Sequence, residues 1–142
     1  MKFTIGIIGL LGGGATMRFL DKADDNAGGV TLTTEEKDTL LGGVNLREIR
    51  RGVAQTGALG YWIGARHARN GYTLGAVKQM IRFGFDRLGL HRLEAACLPE
   101  NEPSRRLLFA AGFTQEGHAR GYLKIDGRWR DHLLFGIVNP RD

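Results

Sequence analysis

Apolar and polar positions divide the chain into short, well-marked segments. KFTIGIIG predicts a buried strand, GLLGGG a flexible turn and ATMRFLDKA a short helix. DDNAGG breaks the pattern, and the runs VTLTT and TLLGGVNL, joined by the polar EEKD, predict a hairpin. REIRRGVAQTG reads as a polar connection and ALGYWIG as a further strand. From Thr73 onward Leu74, Val77, Ile81, Phe85 and Leu88 recur at helical spacing, and Gly89 ends that helix as its C-cap. HRLEAACL alternates as a strand does, with Leu93, Ala95 and Cys97 on one face and Glu94, Ala96 and Leu98 on the other. PENEPSRRLLFAAGF carries a second helix's signals: Asn101 as N-cap, Pro103 in the first turn, Gly112 at the end. The tail predicts two strands meeting at Asp126-Gly127, a strong hairpin turn.

That order, strands, helix, strand, helix, hairpin, contains no repeat and no low-complexity linker, and 142 residues suit a single domain with a real core. The 42% hydrophobic and 25% charged fractions are those of an ordinary soluble protein. A lone cysteine, Cys97, excludes an internal disulfide and fits a reducing, cytoplasmic setting; inside an apolar run it reads as packing. The opening run has a single lysine and is interrupted by glycines, so it makes a poor signal peptide. No apolar run reaches the length of a membrane span.

The net charge of +5 is uneven, since residues 1–42 hold four Lys/Arg against six Asp/Glu and the excess of base lies beyond them. This suits an anionic partner. The arginines are dispersed and no nucleic-acid module accompanies them, so direct nucleic-acid reading is the weaker option.

Three places could carry chemistry. ARHARNGYTLGA lies between a strand and a helix, where backbone N–H groups of residues 69–73, the helix dipole, Arg66 and Arg69 could cradle a phosphate. A plain turn with solvated arginines, permitted by Gly71, explains it equally well, and neither a P-loop nor a full GxGxxG is present. Asn101 and Ser104 can simply satisfy a helix start, or Ser104 can donate a proton to a leaving thiolate. Glu94, a carboxylate within an apolar strand, must face water or a cleft, where it could act as a general base. The histidines at 67, 91, 118 and 132 lack ligand spacing, so no metal site is expected. Trp62 and Trp129 read as core or cleft walls, and Asp131 with His132 as a local polar pair or a solvated face.

In this order, LLGGVNL, LGYWIG with the basic loop, LGLHRLEA, PENEPSRRLLFAAGF and GYLKIDGRWRDHLLF resemble the GNAT superfamily of acetyl-CoA-dependent N-acyltransferases. The branch they look most like includes the ribosomal-protein-alanine N-acetyltransferases, over residues 39–138. The resemblance implies an α/β fold: a GNAT-like three-layer sandwich around a mixed, splayed sheet, with acetyl-CoA entering the gap between LGYWIG and HRLEAACL. Tyr61, Trp62 and Ile63 would pair with the pantetheine arm. Arg66, Arg69, Asn70, Gly71, Tyr72 and Thr73 would fall in the pyrophosphate loop. Asn101 would contact the pantetheine, Ser104 would protonate the departing thiolate, and Glu94 would deprotonate the acceptor amine directly or through water. Backbone donors would hold the developing oxyanion.

Three departures stand out: Arg69 where the family has glycine, Gly75 where the branch has glutamate, and a front segment, residues 1–38, unlike the family's helical cover. That segment is instead similar to the strand-turn-helix start of aspartate/glutamate racemases, without their two catalytic cysteines. The expectation is therefore an N-acetyltransferase acting on a small-molecule or peptide primary amine, a ribosomal or other protein N-terminus among the acceptors, with its N-terminal substrate-side helices shortened. A homodimer would hide the uncovered side. The alternative is a truncated, catalytically impaired relative that binds CoA or a protein partner only.

Overall fold

The computed structural model describes residues 7–11, 15–20, 30–36, 39–63 and 72–142, and side chains within 43–62 and 73–142. The elements are β1 (Ile7–Leu11), β2 (Ala15–Leu20), β3 (Val30–Glu36), β4 (Thr39–Arg50), β5 (Thr56–Ile63), α1 (Tyr72–Asp86), β6 (Arg92–Cys97), α2 (Glu102–Ala111), β7 (Thr114–Ile125) and β8 (Arg128–Val138). The strands form one sheet in the order β1-β2-β3-β4-β5-β6-β8-β7. β5 and β6 run parallel, and their neighbours pair antiparallel. The expected α/β class with a mixed, splayed sheet is what the chain forms.

Two expectations fail. Ala15–Leu20 is a strand and not part of a helix: Arg18 stands opposite Ile7 on one side and Thr33 on the other. A helix this short gains little by itself, whereas a strand between two others makes ladder bonds on both edges. The racemase-like strand-turn-helix is therefore not formed. Nor does REIRRGVAQTG leave the sheet as a unit, because Arg47–Arg50 continue β4 and Thr56 already belongs to β5. Polar residues do not end β4 because Arg47, Glu48 and Arg50 lie exposed; a register shift between Arg47 and Arg50, with Glu48 at φ 51°, absorbs the irregularity.

Register sets the faces. Leu59 lies opposite Leu46, Gly57 beside Leu93, and Ala95 opposite Phe135, so these residues look to one side. Both helices pack there. Gly84 lets α1 approach closely, because a Cβ at that position would stand 3.3 Å from both Leu93 methyls and 3.4 Å from Leu46 Cδ2. α2 reaches the same face through Phe109, whose ring meets Phe135 edge-on at 5.5 Å. Val77, Ile81 and Phe85, the predicted stripe, are buried with Leu46, Leu90, Leu93 and Leu108. Among the described residues the opposite face carries no helix.

The local signals act as expected. Asn101 Oδ1 accepts from Ser104 N–H at 3.2 Å, and Gly112, at φ 102°, closes α2 with its N–H on Leu108 and Phe109 carbonyls. Asp126 and Gly127 both take positive φ, 50° and 78°, as a primed two-residue hairpin requires. No helix among the described residues is long and apolar enough to cross a membrane.

Candidate active site

β5 and β6 hold together over Thr56↔Arg92, Gly57↔Leu93 and Ala58↔Glu94. Beyond Ala58 each strand keeps only its outer neighbour, β5 pairing on with β4 as far as Ile63 and β6 with β8 as far as Cys97. The gap is a cleft of about 560 Å³ bordered by both faces of the sheet. Its floor is thus the last parallel pair, and one of those two residues is Glu94.

On the helix side, Tyr61 points from β5 toward α2, and its hydroxyl is hydrogen-bonded to Ser104 Oγ. Burial pushes the Tyr61 phenol above its ordinary value, a shift the Ser104 bond partly opposes. Burial also pushes the Cys97 thiol up, against smaller lowering effects from Ser104 and Arg105. Cys97 is a buried free thiol in the wall, which matches its expected packing role. Near neutral pH this wall therefore keeps its protons and holds two linked hydroxyls ready to donate.

The other wall is charged. Glu94 accepts from Arg92 Nε at 3.1 Å, and Arg50 lies 4.0 Å away. Arg92 extends past Glu94 and grips Glu116 with both terminal nitrogens, one bond measuring 2.8 Å. The bond to Glu116, with a smaller contribution from Glu94, raises the Arg92 guanidinium further against the cost of burial. The same bond holds the Glu116 carboxyl below the usual carboxylate range. This bridge between β6 and β7 crosses β8 at Gly136, where a Cβ would stand 2.6 Å from Glu116 Oε1. Glu116 reaches it from a register shift between Gln115 and Gly117, a bulge that re-aims the side chain.

A second register shift, between Ala119 and Leu123, brings Tyr122 to the cleft. Gly121, at φ 53°, donates its N–H to Asp131 Oδ1 at 2.8 Å, and His118 Nε2 lies 3.0 Å from Asp131 Oδ2. His118 first, then the Gly121 N–H, hold the Asp131 carboxyl below its ordinary value. Asp131 thus pairs with His118, and His132 instead lies under the Tyr122 ring with centroids 5.6 Å apart.

The structure brings Tyr61, Trp62, Glu94, Asn101 and Ser104 to one cleft, with Ser104 on one side of the sheet and Glu94 on the other. Trp62 is half-exposed and lies over Gly43. Ile63 ends β5, and Tyr72 and Thr73 open α1, which continues through Gly75. Arg66, Arg69, Asn70 and Gly71 lie outside the described residues. Sequence reasoning missed Asn45, Arg92, Glu116 and Tyr122. Period-two alternation places Asn45 with Arg47, and Arg92 with Glu94, on polar faces; the bulges that deliver Glu116 and Tyr122 leave no such pattern.

Comparison with known proteins agrees with this geometry. An acetyltransferase (GNAT) domain model matches residues 14–114. Over 111 residues the chain is 42% identical to "Probable N-acetyltransferase YjcK" of Bacillus subtilis (strain 168), covering 78% of this chain and 61% of that protein. It is 37% identical to the [ribosomal protein uS5]-alanine N-acetyltransferase of Escherichia coli (strain K12), covering 75% of this chain and 54% of the relative. Mycobacterium smegmatis RimJ in complex with CoA-disulfide superposes with a TM-score of 0.76 at 32% identity, over 80% of this chain and 54% of that one. The chain therefore spans 54% to 61% of the length of these relatives. By its domain match and its splayed sheet, the chain belongs to the GNAT acetyltransferase family.

Proposed function

We propose that the chain transfers the acetyl group of acetyl-CoA to a primary amine, with a protein or peptide N-terminus as acceptor. The observation that carries this reading is the cleft where β5 leaves β6, with a hydroxyl pair on one side of the sheet and a carboxylate on the other. Membership in the family and the alanine N-acetyltransferase activity named for the Escherichia coli relative support it.

The residues fit the cofactor. Past Ala58, the β5 edge that faces the cleft is not paired to β6, which suits the amide-bearing pantetheine arm along Tyr61, Trp62 and Ile63. Asn101 and Ser104 open α2 beside that edge, Tyr72 and Thr73 open α1, and Arg66 to Gly71, just before them in sequence, are assigned to the pyrophosphate. When bound, acetyl-CoA supplies an acyl group activated as a thioester. Glu94 takes the proton from the acceptor's ammonium group. Ser104 donates its hydroxyl proton toward the leaving sulfur, and Tyr61 stands behind it as a proton source. The cleft places the two reactants side by side, which supplies much of the rate.

Isothermal titration with acetyl-CoA tests the cofactor step: saturable binding is expected, and none at millimolar ligand sinks the proposal. Thiol release from acetyl-CoA in the presence of an alanine-initiated peptide then tests transfer. Binding without acceptor-dependent release would leave a CoA-binding protein and not a transferase.

A further inference from the structure

The charged wall holds a polar atom that is left unsatisfied among the described residues. Asn45 Oδ1 is shielded from solvent and has no hydrogen-bond partner among the described residues. Buried acceptors are normally paired, so an unpaired one beside a cleft calls for a donor that arrives with a ligand. Asn45 lines the cleft from β4, directly opposite Gly60 on β5. It shares the face of Glu94, because Arg47, two residues on, is paired with Ala58, and Ala58 with Glu94.

Gly60 is what allows this placement. A Cβ there would stand 2.7 Å from Asn45 Oδ1, so any side chain would push the amide away. The same point lies 3.8 Å from an Arg47 terminal nitrogen, yet that guanidinium makes no hydrogen bond to Oδ1. Glycine at position 60 thus leaves room for the unused oxygen to lie against β5, beside the cleft and on the side of the sheet where an amine must meet Glu94.

We infer that Asn45 is an acceptor-binding residue, its Oδ1 accepting an N–H from the acceptor's amino group while Glu94 takes the proton. The inference rests on the transferase reading and adds the group that orients the amine. A primary ammonium has three N–H bonds; one proton passes to Glu94, and a second N–H held by Asn45 fixes the direction of the lone pair that is released.

The test is calorimetric and needs no turnover. An alanine-initiated peptide is titrated into protein saturated with CoA, for wild type, Asn45→Ala, Asn45→Asp and Gly60→Ala. Removing one hydrogen bond to a charged donor is expected to weaken the peptide about tenfold in Asn45→Ala, with CoA affinity unchanged. Asn45→Asp, which keeps an acceptor oxygen, should bind the peptide at least as well as wild type. Gly60→Ala keeps Asn45 but displaces its amide, so it should weaken the peptide too, and it decides the matter if Asn45→Ala fails to fold. Unchanged peptide affinity in the folded variants, or parallel loss of peptide and CoA, overturns the inference. Wild type that binds CoA but not the peptide overturns it as well and leaves the cofactor site standing. Wild type that binds no acetyl-CoA overturns the transferase reading itself.

Discussion

The two walls of the cleft are held by different forces. The helix-side wall is an extension of the core: Tyr61 and Ser104 meet above Cys97, and the same face buries Leu46, Leu93 and Phe135 under two helices. The opposite wall has no such cover among the described residues and is organised by Arg92, Glu94, Glu116 and two bulges in β7. Close packing gives one wall a fixed shape. Ion pairs around water-accessible carboxylates give the other a shape that responds to pH and salt. A cofactor that is the same in every turnover suits the first, and a variable acceptor suits the second.

The largest effect should come from the packed side. Leu93→Ala removes a side chain with no exposure from beneath α1, and urea unfolding should show a loss of about 3 kcal/mol. A loss under about 1 kcal/mol would mean that the helices are not what holds this wall. Next, Glu94→Gln should lower kcat roughly 100-fold with acetyl-CoA affinity unchanged, read as acceptor-dependent thiol release. An unchanged kcat would pass the base role to water or another group. A smaller effect is expected of Tyr61→Phe, which keeps the ring but removes the partner of Ser104: kcat about fivefold lower, with acetyl-CoA affinity unchanged. If affinity falls and kcat does not, the pair serves binding.

The smallest effect belongs to Glu116→Gln, worth less than about 1 kcal/mol at neutral pH because the pair is partly solvated. Its sign is fixed. Arg92 depresses the folded carboxyl, so the stabilisation is present above the ordinary glutamate range and is lost as pH falls through the folded value. Melting curves of wild type and variant should therefore converge on acidification. A constant difference down to pH 3 would show that the bridge acts by shape and not by charge.

How far each wall could be read from the sequence follows the same division. Val77, Ile81 and Phe85 repeat at the helical period because a single face of α1 is buried, and Leu93, Ala95 and Cys97 alternate because β6 is covered on one side. Asn101, Gly112 and Asp126-Gly127 announce their turns because few residues tolerate those conformations. Ala15–Leu20 misled because it pairs on both edges, with the strands before and after it in the chain, a context that propensity does not carry. Glu94 was legible as a carboxylate out of place. Arg92 and Asn45 were not, since a polar residue on a polar face is unremarkable until its neighbours are known.

The short parallel ladder has a consequence for the dynamics of the whole chain. From β1 to β5 the sheet is a meander of chain neighbours, and β7 with β8 is a hairpin, so these parts close small loops. β5 and β6 instead join across α1 by only three residue pairs, footed by the His91 and Arg92 N–H groups on the Gln55 carbonyl. Long closures are the costly ones in folding. Amide exchange should therefore find its sub-global opening at this junction, with the two half-sheets keeping their own protection. A ligand that pairs with the free β5 edge closes the same junction, so cofactor binding should slow exchange on both sides and raise Tm with ligand concentration.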